Sequence, residues 1–276
     1  MIGARLLSSC VEHPEDKRGR FSVRRQIGVV LSCLLHILPL SVVAAADGDV
    51  PRFVIEFEAG PVWQTVNDVQ VPNDSRGTRF SLVDVVGKGP WLAGRLYATW
   101  NFNSKHGIRA LAAPLSITES AELGAPIEFA GGSFAAGQPT EATYKFNSWR
   151  LSYRYRFYKS SRWQWWVGFT AKVRDAKIRL VQDNVAAEKT DVGFVPLLHV
   201  AGTLQFAERW TAELDVDALA GGPGRAEDAS LKLRYRLGER WSLAAGYRTV
   251  EGGADVDAVY NFAWLHYAVA SIGLTF

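Results

Sequence analysis

Apolar and polar residues alternate with a period of two along most of the chain beyond about residue 50, and helical periodicity is scarce. In 149–158, Trp149, Leu151, Tyr153, Tyr155 and Phe157 stand against Arg150, Ser152, Arg154, Arg156 and Tyr158. In 230–237, Leu231, Leu233, Tyr235 and Leu237 stand against Ser230, Lys232, Arg234 and Arg236. The last stretch, 261–276, sets Phe262, Trp264, Ala268, Ala270, Ile272, Leu274 and Phe276 against Ala263, Tyr267, Ser271, Gly273 and Thr275. Such runs predict ten strands, at 52–64, 91–103, 107–118, 143–158, 162–181, 193–206, 209–220, 229–238, 241–250 and 260–276. Segment 79–86 reads either as an extra strand or as a projecting hairpin, so eight or twelve strands stay open.

A repeated turn separates pairs of runs. Phe102–His106, Tyr158–Trp163, Phe206–Trp210 and Leu237–Trp241 each carry an apolar or aromatic residue, a short polar break, a cation and then an aromatic ring. These predict tight hairpins at one end of the sheet. Longer polar, Gly-rich segments predict loops at the other end, at 65–90, 119–142, 182–192, 221–228 and 251–259. Tryptophans sort to the two ends: Trp63, Trp91, Trp149 and Trp264 toward the long loops, and Trp100, Trp163, Trp165, Trp210 and Trp241 toward the tight turns. Amphipathic rings favour a lipid–water interface, so two girdles imply a membrane-spanning sheet.

The one long apolar run, 27–43, changes the charge picture. It follows Arg24 and Arg25 and ends at Ala44-Ala45-Ala46, the pattern of a cleaved secretory signal over 1–46. Ser32, Cys33, His36 and Pro39 interrupt it, against a transmembrane helix. Setting 1–46 aside takes six of the 31 basic and three of the 28 acidic residues, leaving 25 of each. The formal charge of +3 therefore belongs to the leader and is no argument for a nucleic-acid partner. Cys10 and Cys33 leave with it, so 47–276 has neither disulfide nor thiol chemistry.

A secreted, all-β chain with an aromatic face, paired girdles and a terminal Phe276 resembles the small bacterial (proteobacterial-type) outer-membrane β-barrels. The resemblance covers 52–276. It implies a transmembrane up-and-down antiparallel β-barrel of about ten strands over 47–276, monomeric, in the outer membrane of a Gram-negative cell. It also implies Phe276 as the signal read by the barrel assembly machinery, with outer-membrane lipid and lipopolysaccharide as surroundings.

If the aromatic face meets lipid, the charged face points into the lumen. Glu213, Asp215 and Asp217 then face Lys232, Arg234 and Arg236 as a salt-bridge ladder along one hairpin. Arg150, Arg154, Arg156, Lys172, Arg174 and Arg248 add cations, Glu56 and Glu58 add anions, and Arg95, Tyr97, Thr99 and Asn101 point inward too. Such a network plugs a narrow barrel. This favours a porin-like but closed protein with a structural or surface-binding role, its loops 65–90 and 119–142 serving as contact surface. A narrow, cation-lined, anion-favouring pore is the alternative.

A hydrolase at the rim, acting on lipid A or surface peptides, is the third reading. His199 shares the inward face with Thr203 and Gln205. His266 shares the lipid face unless a local bulge turns it inward, and a loop carrying Asp255 and Asp257 follows the preceding strand. A histidine with carboxylates at the rim is how the ten-stranded omptin proteases activate water, and strand count is the resemblance to them. Their second acidic pair is absent, as is the His-x-Ser of lipid A deacylase barrels, so the balance is against an enzyme. No metal or cofactor is expected: the 251–257 loop lacks the ligand spacing of an EF-hand, and Gly221-Gly222-Pro223-Gly224 is a turn.

Overall fold

The computed structural model describes residues 50–222 and 224–276. The predicted signal segment 1–46 lies outside the described residues. A continuous antiparallel ladder closes on itself into a barrel of ten wall strands. In order they are β1 (Phe53–Gln70), β3 (Trp91–Asn101), β4 (His106–Ala113) continued by β5 (Ser116–Glu122), β8 (Pro139–Lys159), β9 (Trp163–Gln182), β10 (Val185–Gln205), β11 (Trp210–Gly221), β12 (Gly224–Arg236), β13 (Trp241–Val256) and β14 (Val259–Thr275). Each pairs with its neighbour in sequence, and β14 returns to β1. Pro114, which has no N–H to donate, separates β4 from β5, and both halves pair with β8. The segments between β1 and β3 and between β5 and β8 hold β2 (Phe80–Ser81), α1 (Val83–Val86), β6 (Ile127–Phe129) and β7 (Gly132–Phe134).

One backbone bond recurs at the four tight turns. Phe102 N–H donates to His106 O at 3.0 Å, Ser160 to Trp163 at 2.8 Å, Phe206 to Trp210 at 3.2 Å and Leu237 to Trp241 at 2.9 Å. The barrel closes at this same end, where Phe276 N–H donates to Phe53 O at 2.9 Å. Aromatic rings gather there: Phe53 stacks with Trp100 at 6.1 Å, and Trp163 with Trp165 at 5.9 Å. Gly202 lies across the ladder from Trp165, where a Cβ would meet the indole at 2.6 Å, so its missing side chain lets the ring lie along the wall.

At the opposite end the strands run further than alternation predicts. Segments 182–192, 221–228 and 251–259 are not loops. β9 and β10 continue to a turn of Asp183 and Asn184, β11 and β12 meet across Gly222, and β13 and β14 turn at Asp257 and Ala258. Glycine and charge mark loops only where cross-strand partners are lacking, and here all but the turn residues have one, as in Lys189↔Ile178 and Thr190↔Lys177. The two genuine loops also depart from expectation, because much of their apolar content turns inward. Leu82, Phe129 and Phe134 are almost fully buried with Tyr144, Leu180 and Leu265, forming an apolar core that fills one side of the barrel at this end. Segment 79–86 is thus neither a wall strand nor a projecting hairpin.

The outward face is apolar from the tight-turn end through the middle of the wall, and toward the loop end of β8–β10 it gives way to ion pairs such as Lys145–Asp175. Phe169 is 67% exposed, Phe194 68% and Leu92 84%, while the alternate residues Thr170, Lys172 and Arg95 are buried. No helix among the described residues is long and apolar enough to cross a membrane. If lipid covers this face, Phe169→Arg, near mid-strand, costs about 2–4 kcal/mol of stability, whereas Phe276→Arg at the rim costs less than about 1 kcal/mol. Equilibrium urea unfolding in lipid vesicles measures both, and equal effects would contradict a mid-membrane position for Phe169.

Candidate functional site

The inward charges meet in the middle of the barrel, and Asp228 on β12 is their centre. It accepts from Arg95 of β3 at 2.6 Å, from Arg150 of β8 at 2.6 Å and from Arg248 of β13. Arg150 reaches on to Asp217 of β11 at 2.9 Å, and Arg248 to Glu58 of β1 at 3.0 Å and Tyr97 at 2.9 Å. Toward the tight-turn end, Lys232 pairs with Glu56 and, at 3.0 Å, with Glu58. Arg234 pairs with Glu56 at 2.6 Å and with Glu213 at 2.6 and 2.9 Å, while Arg109 forks onto Asp215 at 2.6 and 2.9 Å. Arg95, Arg150, Arg248, Glu58, Asp217 and Asp228 are all nearly inaccessible. Taking such charges out of water is costly, and it is offset here by bidentate geometry and several partners for each carboxylate.

This is not a ladder along the β11–β12 hairpin. Of its charges, Glu213 pairs within the hairpin, to Arg234, and the rest reach across the lumen or to other strands. The register explains why. Asp217 lies directly opposite Asp228, and Asp215 opposite Ser230, so no cation of the hairpin faces them. Asp228 and Arg109 are the members that sequence reasoning left out. Carrying the alternation of Lys232 and Arg234 two steps back leads to Asp228; alternation within β4, where Gly107, Arg109 and Leu111 share a face, leads to Arg109.

Other predicted members sit apart. Arg236 is exposed at the tight-turn rim and donates to Glu208 O at 2.8 Å, because β12 reaches the end of the wall there. Arg174 lies nearer the loop end and pairs with Asp191. Arg156 is buried and donates to Gln164 at 2.9 Å. Arg154 meets no carboxylate among the described residues: its Nε–H donates to His199 Nε2 at 3.3 Å and its guanidinium lies 5.2 Å from the Trp166 ring centre. Lys172 also lacks a carboxylate and sits 4.8 Å from the Phe146 ring centre.

His199 is wholly buried. With Nε2 accepting from Arg154, its Nδ1–H donates to Asp217 Oδ1 at 2.8 Å, which assigns the tautomer. Thr170 donates to the same oxygen at 2.8 Å. The ligand atoms of His199, Asp215 and Asp217 lie within 4.8 Å of one another, close enough for a metal ion. All of them are engaged, and Arg109, Arg150 and Arg154 occupy the cation positions, so the trio works as an ion-pair node. His266 is on the outer wall. A bulge does occur nearby, but in β1 between Gln64 and Val66, and it leaves His266 outward. Thr65 Oγ1 sits 2.9 Å from His266 Nε2, Tyr247 Oη contacts Nδ1, and Trp63 and Trp264 flank the ring. Asp255 accepts from Asn73 at 2.7 Å, and Asp257 O from the Asn73 N–H at 3.1 Å. Asp255 pairs in register with Tyr260, six residues or about 20 Å along the strand from His266, so these groups form no common site.

Cavities flank the plug. One of about 540 Å³ opens at the loop end, lined by β8 to β14; another of about 280 Å³ opens at the tight-turn end, lined by Tyr97, Arg109, Arg154 and Asp215 among others. A closed antiparallel barrel of ten wall strands with an apolar belt, aromatic rings and charges turned inward has the architecture of a transmembrane β-barrel. No family model matches the sequence, and no curated protein resembles it in sequence. Among solved structures, the outer membrane protease OmpT from Escherichia coli aligns with a TM-score of 0.46 and 8% identity over 84% of this chain and 99% of that one. Neisserial surface protein A aligns at 0.35 and 14% identity, over 81% and 97%. The attachment invasion locus protein Ail of Yersinia pestis aligns at 0.34 and 11%, over 81% and 98%.

Asp228→Ala leaves three guanidiniums without their shared carboxylate and is expected to cost about 3–5 kcal/mol. Asp74→Ala, which frees only the exposed, solvent-screened Arg76, should leave stability nearly unchanged. Urea unfolding midpoints of the two variants compare them directly, and similar values would remove Asp228 from the centre of the plug.

Proposed function

We propose that this protein is a closed outer-membrane barrel that acts at its loop end, as a structural and surface-binding module rather than as a conduit. The observation that carries the reading is the ion-paired plug around Asp228, which joins β1, β3, β8, β12 and β13 across the lumen between the two cavities. In this reading the loop end faces outward, and the tight turns and the Phe276 terminus face the periplasm. The chain is exported by its signal segment, inserted by the barrel assembly machinery through Phe276, and held as a monomer among outer-membrane lipid and lipopolysaccharide. The rim-hydrolase reading draws no support from His199, which is sealed and already hydrogen-bonded at both nitrogens, or from His266 on the outer wall.

A narrow anion pore is the second reading, favoured by Arg154 and Lys172, on either side of the plug, which meet no carboxylate among the described residues. Planar-bilayer recording with asymmetric salt separates the two. The closed barrel is expected to be silent at ordinary voltages. Steady anion-selective openings, reduced by Arg154→Ala, would establish the pore instead.

A further inference from the structure

The cavity at the loop end has the chemistry of a binding site. Phe146, Ile178, Val195, Leu219 and Val259 give it apolar walls. Its lining also holds Lys172, Arg174, Lys177, Lys189 and Arg225 against only Asp191 and Glu251. Both carboxylates are already engaged, Asp191 by Arg174 and Glu251 by Arg225. The cavity is thus apolar in its walls and cationic in its net charge.

Lys172 marks the deep end. It pairs in register with Arg150, whose guanidinium belongs to the plug, so it sits where the cavity floor meets the ion-pair array. It is 3% exposed and has no carboxylate among the described residues, only the face of Phe146. Two residues along the same face, the buried Nε of Arg174 has no hydrogen-bond partner. A buried ammonium beside an unused guanidinium N–H is a costly arrangement that an incoming anion would relieve. The volume of about 540 Å³ lies within the range of small-molecule pockets.

We infer that this cavity binds a small amphipathic carboxylate, an alkyl or aryl acid, with its carboxylate at Lys172 and Arg174 and its apolar body against the walls above. The inference deepens the surface-binding reading and rests on the plug closing the cavity from below. A ligand of this kind satisfies both halves of the site. A bare inorganic anion leaves the walls uncovered, and an uncharged alcohol leaves Lys172 without a counter-charge.

Equilibrium dialysis of radiolabelled octanoate tests it, with the protein in phosphatidylcholine nanodiscs and empty nanodiscs as background. One saturable site is expected, with octanol at least tenfold weaker and acetate at least a hundredfold weaker. Competition by 3-phenylpropionate tells aryl from alkyl preference. Lys172→Met should weaken octanoate at least tenfold and leave octanol unchanged. Should that variant fail to fold, judged by heat-modifiable gel migration, Ala176→Trp fills the cavity from β9 and should abolish binding. Absence of saturable binding, equal affinity for octanoate and octanol, equal affinity for octanoate and acetate, or undiminished binding by a folded variant would each overturn the inference. Planar-bilayer conductance of the same protein keeps the two proposals apart: a silent barrel that binds no octanoate loses only the site, and a conducting barrel loses the closed-barrel reading and with it the floor on which the site rests.

Discussion

A charge removed from water must find its counter-charge nearby, and in this barrel that constraint organises the interior. Asp228 can be nearly inaccessible because three guanidiniums from three other strands converge on it. Those guanidiniums in turn require Asp217 and Glu58, which bring in β11 and β1. The result is a set of contacts spanning the lumen in several directions, unlike backbone ladders, which tie each strand only to its two neighbours. Buried ion pairs of this kind are weak evidence for net stability, but removing one partner is severe, because the remainder stay buried and unpaired.

The barrel is filled in two chemically different ways. Its middle is packed with ion pairs. At the loop end, one side is filled by an apolar core in which Leu82, Phe129 and Phe134 from the loops meet Tyr144 and Leu180 from the wall. The loops therefore help to close the barrel instead of projecting freely. The basic cavity lies beside this core and shares Tyr144 and Ile178 with it. On the outer wall, the polar ring of His266 is accommodated by Thr65, which the β1 bulge brings beside it, and by Tyr247.

Much of the architecture was legible from alternation alone. Period two identifies strands and their faces, and the recurring cation-aromatic turns identify one end of the barrel. Strand ends were less legible: the glycines and acids around Gly252–Asp257 look like loop residues, but most continue to pair because β14 runs alongside them. The partners of the inward charges were not legible. Alternation tells which face a residue occupies, not which distant strand stands opposite, so Lys232 looked like a partner for the acids of β11 when it reaches Glu56 and Glu58 on β1. The Thr65 bulge was equally hidden, since it is a property of register between strands and has no signature in composition.

The plug also straddles the seam where the first and last wall strands meet. Glu56 and Glu58 on β1 are answered by Lys232, Arg234 and Arg248 from β12 and β13, the far end of the chain in sequence. While the sheet is still open, those two glutamates stand on one free edge and their three cations one or two strands in from the other, so they cannot pair. Closing the seam therefore completes a hydrogen-bond ladder and in the same step gives Glu56 and Glu58 their cations. Closing the barrel is thereby tied to neutralising the charges of its first strand.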